Sequence, residues 1–249
     1  MSVSVAITLL VLTTWGVAGA GKRHPGKIVG IKGNHCAAWS YHHVGNGRIA
    51  YAGIARHSLK AYRRAGRAPF ARFKTKNVNG VPTVLGIRGA IVSKRCKPLW
   101  YRVQLPRRPN GIRAYVRASA VQVGNVRTRI VVDLSERQLT FFRNGRARLT
   151  TRVAIGSSAT PTPRGRFYVN QRLVSADKSG PFGPAALGIS AFSPVLTGWT
   201  QGGPIAIHGT NQPRSIGRAM SNGCIRVRNG ALRRLFAKTP MGSPVLVRR

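Results

Sequence analysis

Carboxylates are almost missing from this sequence: three Asp and Glu stand against 42 Lys and Arg, a formal net charge of +39. The three are Asp133, Glu136 and Asp177, so the first 125 residues carry none. A two-carboxylate glycosidase would have to draw its pair from these three. Asp133 and Glu136 lie only three residues apart on one strand or turn, which is poor geometry for flanking a glycosidic bond. Hard-cation sites built from carboxylates are excluded for the same shortage, and the reading requires no metal or organic cofactor.

Cysteine is also scarce, with Cys36, Cys96 and Cys224 making an odd count. In a secreted chain that suggests one bridge and one free thiol. Cys224 is the natural one to stay free, which leaves a Cys36–Cys96 disulfide as the pairing to test. His35-Cys36 and His42-His43 can be drawn as a zinc site, but the spacing fits no closed structural pattern. A loop with scattered histidines is the preferred reading there.

A long apolar run occurs at the N-terminus, over residues 1–20. It ends at Ala18-Gly19-Ala20, a small-x-small pattern suited to signal-peptidase cleavage, although no Lys or Arg precedes it. An uncleaved anchor is the rival, since about 20 helical residues span a bilayer. Both readings place the remainder outside the cytoplasm, as a secreted, periplasmic or wall-associated protein.

The excess charge is spread over both halves of the chain, and such a surface belongs among polyanions. Anionic cell-wall polymers, an anionic membrane surface and nucleic acid are the candidates, with an environment that favours basic secreted proteins as the plain alternative. Nucleic acid is disfavoured because no recognised nucleic-acid motif is present. Oligomeric state is not legible.

The chain divides by composition. Residues 21–76 are rich in Gly, Lys, Arg and His and read as a basic linker, with a short amphipathic helix around Leu59 and Tyr62 as the alternative. Residues 77–124 hold short β-type runs broken by Gly, Pro and Asn110-Gly111, a hairpin signal, and read as a small β-barrel. Trp100-Tyr-Arg-Val-Gln-Leu-Pro-Arg-Arg-Pro-Asn-Gly and Val116-Arg-Ala-Ser resemble the Src-homology-3-like barrels that precede secreted cell-wall enzymes. Residues 126–249 are mainly β, with a tight turn at Asn144-Gly145, a rigid turn at Thr160-Pro-Thr-Pro, and a loop-like stretch over 175–204. A short helix follows Asn229, its expected N-cap, and Val245-Leu-Val closes the chain as a strand. The fold class is therefore mainly β, a small N-terminal barrel followed by a β-sandwich with one short helix.

The chemistry concentrates in Ile205-Ala-Ile-His208-Gly-Thr and Ser221-Asn-Gly-Cys224-Ile-Arg226. His208 and Cys224 are too far apart in sequence to share a helix face, so the fold must bring them together. A thiol beside an imidazole is a nucleophile beside its base. The backbone amides of the Ser221–Cys224 turn could form an oxyanion hole, and Arg226 and Arg228 are expected to favour a thiolate. Against this, Cys and His also occur as ordinary core residues, and His208 follows Ile-Ala-Ile.

Residues 205–228, with Thr160-Pro-Thr-Pro-Arg-Gly-Arg-Phe and Ala186-Leu-Gly, resemble the L,D-transpeptidase family, the YkuD-type catalytic domain, over 126–249. That resemblance implies Cys224 as nucleophile, His208 as base, and an oxyanion hole from the backbone of Asn222, Gly223 and Cys224. It implies substrate positioning by Gly209, Thr210, Ser221 and Arg226. Asn222 departs from the pattern, since many members carry histidine there, which leaves His208 as the base. The implied reaction is peptidoglycan cross-linking between third residues of stem peptides, with acylation of Cys224 by carbapenems. An L,D-carboxypeptidase using the same dyad and a non-catalytic protein that binds anionic cell wall are the alternatives.

Overall fold

The computed structural model describes residues 28–31, 33–198 and 203–249. The leader or anchor expected over 1–20 lies outside the described residues. Among them, no helix is long and apolar enough to cross a membrane.

The N-terminal sheet contains β1 (Tyr41–His43), β2 (Ala50–Ala55), β3 (Leu59–Tyr62), β4 (Pro69–Phe73), β5 (Val84–Val92), β6 (Pro98–Gln104), β7 (Arg113–Arg117) and β8 (Val121–Val126). Its order is β4-β3-β7-β6-β5-β2-β8, with β1 paired to β5. The core is Leu59, Ala61, Leu85, Ile87, Tyr101, Val103, Leu105 and Val116 with their neighbours. Cys36 is disulfide-bonded to Cys96, with their Cα atoms 5.2 Å apart, so Cys36 is not a zinc ligand.

One expectation changes here. Residues 41–73 are not a linker, because four strands of the sheet lie within them. The period is two: Leu59 and Ala61 point into the core while Lys60 is exposed. Leu59 and Tyr62, three apart, therefore fall on opposite faces of the strand and do not share a helix face. The hairpin signalled by Asn110-Gly111 is present, since β6 and β7 pair antiparallel, although they are joined by a longer loop and not by a two-residue turn. Asn144-Gly145 is one, joining two strands with both residues at positive φ (54° and 81°), the geometry that Asn-Gly supplies.

The second part holds β9 (Thr128–Asp133), β10 (Gln138–Arg143), β11 (Arg146–Gly156), β12 (Gly165–Val174), β13 (Ala185–Phe192), β14 (Pro204–His208), β15 (Ala219–Ser221), β16 (Ile225–Val227), α1 (Asn229–Lys238) and β17 (Pro244–Arg248). The order is β10-β9-β17-β12-β13-β14-β16-β11-β15, and β10–β11 pairing closes the path on itself. The interior is apolar and β-branched, including Ile130, Val132, Phe141, Val153, Phe167, Ile205, Ile207, Ile225 and Val227. Leu232 and Leu235 seal α1 onto it. The stretch 175–204 is not one loop. The apolar run Ala185–Phe192 forms β13 and pairs with β12 and β14.

Tyr168 ties the two parts together. Its ring is 1% exposed and packs with Ala52 and Val84. Its hydroxyl reaches the Val84 carbonyl at 3.0 Å and the Gln104 carbonyl at 3.1 Å, while Gln104 donates to the Arg166 carbonyl at 2.8 Å. A methyl on Gly86 would run into this ring at 2.7 Å, so glycine there permits the close approach.

Candidate active site

β14 and β16 run parallel side by side, with Ile207 opposite Ile225 and His208 opposite Arg226. That register puts Cys224, just before β16, opposite Ala206. Cys224 therefore lies one strand across and two residues back from His208, about 8 Å between Cα atoms from ordinary sheet spacings. An imidazole and a thiol can close that gap. Ile205, Ile207, Ile225 and Val227 turn into the core, and Ala206, Cys224 and Arg226 are half-buried on the alternate positions. The apolar half of the motif thus holds the strands in place, and the polar half forms the site.

His208 is 3% exposed, and Phe182 lies against it with ring centroids 4.9 Å apart. Nδ1 lies 2.6 Å from the Gly209 carbonyl oxygen. A carbonyl can only accept, so Nδ1 carries the proton and Nε2 is left with a lone pair. Burial, with a smaller contribution from the Arg226 charge, holds the imidazolium pKa down to about 4 against the Gly209 hydrogen bond, which pulls the other way. The imidazole is therefore neutral at physiological pH and set up as a base.

The Cys224 thiol is pushed up by burial, which outweighs a main-chain hydrogen bond from Ala206 and the Arg226 charge. This corrects the expectation that basic neighbours favour a resting thiolate. Arg226 acts in that direction, but desolvation is larger. The resting pair is thus a neutral thiol and a neutral imidazole.

The Ser221–Cys224 turn is held from several sides. Ser221 Oγ donates to the Cys224 carbonyl at 2.6 Å and accepts the Gly223 N–H at 3.2 Å. Thr160 Oγ1 donates to the Ser221 carbonyl at 3.0 Å and Thr162 Oγ1 to the Gly223 carbonyl at 2.9 Å. The Thr160-Pro-Thr-Pro segment is therefore a strap across the turn, its prolines removing donors and fixing φ. Gly223 sits at φ 105°, where a side chain would be strained and would also meet Ile205.

The other expected residues fall around this centre. Gly209 and Thr210 are buried directly after His208, Ser221 is buried within the turn, and Asn222 is exposed at its tip. Among the described residues, Arg226 Nε is buried without a hydrogen-bond partner and Nη1 makes a long contact to Gln212 Oε1 at 3.4 Å. Gln212 also lines a hollow of about 400 Å³ with Asn211, Arg214, Arg218 and Met220.

Two contributors escaped the sequence reading. Asn229 is not the N-cap of α1: the cap is Arg228, without a side-chain hydrogen bond. Asn229 Oδ1 instead accepts the Thr210 N–H at 2.8 Å, fixing the segment after His208. A methyl on Gly183 would meet that same Oδ1 at 2.5 Å and Gly209 Cα at 2.8 Å. The second is Phe182, whose only sequence signal is its place in the Pro181-Phe-Gly-Pro turn.

Residues 127–247 match the family model of the L,D-transpeptidase catalytic domain, YkuD. This part of the chain is similar to that catalytic domain. YkuD of Bacillus subtilis strain 168, described as a candidate L,D-transpeptidase, is 36% identical over 120 residues, 48% of this chain and 65% of the relative. ErfK/SrfK of Salmonella typhimurium strain LT2, also described as a candidate L,D-transpeptidase, is 33% identical over 49% of this chain and 44% of its own length. The chain therefore spans less than two thirds of these curated relatives. Among solved structures, the catalytic domain of an E. faecium L,D-transpeptidase is 28% identical, with 49% of this chain and 96% of that one covered and a TM-score of 0.36. The family match begins after the N-terminal sheet and takes in His208, the Ser221–Cys224 turn and Arg226.

Proposed function

We propose that the chain is an extracytoplasmic peptidoglycan L,D-transpeptidase with Cys224 as nucleophile and His208 as base. The observation that carries this is the Nδ1 hydrogen bond to the Gly209 carbonyl. It leaves Nε2 as acceptor on the strand next to Cys224. In the first half-reaction the thiol gives its proton to His208 Nε2 while sulfur attacks the carbonyl of the third residue of a donor stem peptide. The tetrahedral oxyanion is met by the N–H groups of Asn222 and Cys224. The Gly223 N–H is already engaged by Ser221 Oγ, so it leaves the trio expected from sequence. The protonated imidazole then hands its proton to the departing terminal amino acid, giving a thioester. In the second half-reaction His208 takes a proton from an amine of a neighbouring stem as that amine attacks the thioester. The product is a cross-link between third residues, and free Cys224 is regenerated.

Arg226 fits a substrate carboxylate, because its buried Nε has no partner among the described residues and a guanidinium matches a carboxylate in two hydrogen bonds. Gly209, Thr210 and Ser221 position the strand end and the turn rather than touching substrate. The testing experiment is incubation of the protein with purified disaccharide-tetrapeptide, followed by mass analysis of the products. Cross-linked dimer from wild type and none from Cys224→Ala supports the reading. Loss of the terminal residue without any dimer assigns the chain to carboxypeptidase chemistry instead.

A further inference from the structure

The outer face of the N-terminal sheet carries a surface that the catalytic reading does not use. Strand alternation sends Leu59, Ala61, Tyr101, Val103, Ala114 and Val116 into the core. The opposite face presents Lys60 and Tyr62 on β3, Arg102 on β6, and Tyr115 and Arg117 on β7, all at least partly exposed. Lys60 stands directly opposite Arg72 of β4. Like charges facing each other across a strand pair are destabilising, and the acids that could relieve them are absent from the first 125 residues. Charge on an edge strand also discourages sheet-to-sheet association, which accounts for Arg72 but not for Arg102 and Arg117 on interior strands.

The cations are interleaved with rings. The Arg117 guanidinium lies 5.0 Å over the Trp100 ring and that of Arg102 lies 5.7 Å over Tyr41, while Tyr62 meets Trp100 edge-on at 5.1 Å. These contacts fix the guanidiniums in place before any ligand arrives, which lowers the ordering cost of binding. The face also leads toward the catalytic domain. Gln104, on the same side of β6, bonds Arg166, and Arg88 next to it, which donates to Gln104 at 3.2 Å, is held below the usual arginine range by burial and by the charges of Arg166 and Arg113. Cations gathered without a counter-ion run from the edge hairpin to the domain junction.

We infer that this face binds a glycan strand bearing free carboxylates, so that the N-terminal sheet holds the polymer whose stems the catalytic domain processes. Half-buried tyrosines supply flat faces for sugar rings, and fixed guanidiniums supply carboxylate partners. The inference rests on the peptidoglycan reading of the active site for the identity of the polymer. Its test does not depend on turnover, because it is done in the Cys224→Ala background.

The probe is insoluble peptidoglycan stripped of other wall polymers, with binding read by co-sedimentation at 0.05 and 0.15 M salt. The expected result is saturable binding that weakens with salt, reduced about threefold to tenfold by Lys60→Glu and at least tenfold by Lys60→Glu with Arg117→Ala. Lys60→Glu replaces a like-charge pair with an ion pair against Arg72, so its melting temperature is expected to hold or rise while binding falls. A purely structural role for Lys60 would not separate the two. Three results would overturn the inference: no binding to peptidoglycan, variants that bind as well as the parent, or tighter binding of a single-stranded oligonucleotide or anionic vesicles through the same residues. Failure here with dimer formation intact overturns the surface alone, and binding without dimer formation overturns the catalytic reading alone.

Discussion

Ser221 and Cys224 close a turn on themselves: the Ser221 hydroxyl donates to the Cys224 carbonyl at 2.6 Å while accepting the N–H of the intervening Gly223. The backbone of Cys224, the proposed nucleophile, is thereby fixed by the Ser221 side chain. Ser221→Ala leaves a buried carbonyl and a buried N–H without this partner, a loss of about 1–3 kcal/mol. The expected outcome is a lower melting temperature and thiol acylation slowed by more than tenfold. Ser221→Thr, which keeps the hydroxyl, is expected to recover most of both.

The pH dependence follows from two groups. His208 titrates at about 4 in the folded chain against 6.5 ordinarily. Between those values the unfolded chain binds a proton that the native chain refuses, so stability falls as pH drops from 6.5 toward 4, by on the order of 3 kcal/mol in total. Cys224, raised by burial, has the opposite sense. Above its ordinary value of 9.0 the unfolded chain gives up the thiol proton first, and stability falls as pH rises. Acylation requires neutral imidazole, so its rate is expected to rise through an apparent pKa near 4 and stay level from about pH 6 to 8. An acid limb near 6.5 would mean a solvated His208 and would contradict the buried base.

Asn229 offers a cleaner positioning test because it sits one element away from the chemistry. Asn229→Ala removes the acceptor for the Thr210 N–H, and the acylation rate is expected to drop several-fold at a stability cost of about 1 kcal/mol. Asn229→Asp keeps an oxygen acceptor and adds negative charge in the first turn of α1, a favourable place for it. It is expected to retain the rate, measured by stopped-flow fluorescence or timed mass spectra.

The coupling between the two parts of the chain is tested at Tyr168. Tyr168→Phe preserves the ring but leaves the Val84 and Gln104 carbonyls without their shared donor. The expected penalty is about 1–3 kcal/mol, read as a lower midpoint in calorimetry with the active-site thiol still titratable by acylation after cooling.

Much of the site was legible because its signals are local. His208 and Cys224 are each framed by residues whose burial alternates along a short strand, so the Ile-x-Ile pattern before His208 points to a core-backed strand without knowledge of the fold. Asn144-Gly145 was equally local, a two-residue turn set by its own φ preferences. Non-local features were lost. Asn229 reads as a cap from its sequence neighbours, yet its oxygen faces Thr210, 19 residues back, and nothing near Asn229 encodes that partner. The β3–β4 hairpin was hidden because its outward positions are Lys and Arg, while Leu59 and Ala61 are too few to announce a strand. The thiol's electrostatics failed for a related reason: charge is countable in a sequence, desolvation is not, and at Cys224 desolvation is the larger effect.

Every expectation at the site depends on the proposed pairing of Cys224 as nucleophile with His208 as base of one acyl-transfer site. Intact mass after incubation with a carbapenem tests it most directly, comparing wild type with Cys224→Ala and His208→Ala. One adduct per wild-type chain is expected, none on Cys224→Ala, and adduct formation slowed at least a hundredfold in His208→Ala. An adduct of the same mass and rate on Cys224→Ala, or an undiminished rate in His208→Ala, would contradict it.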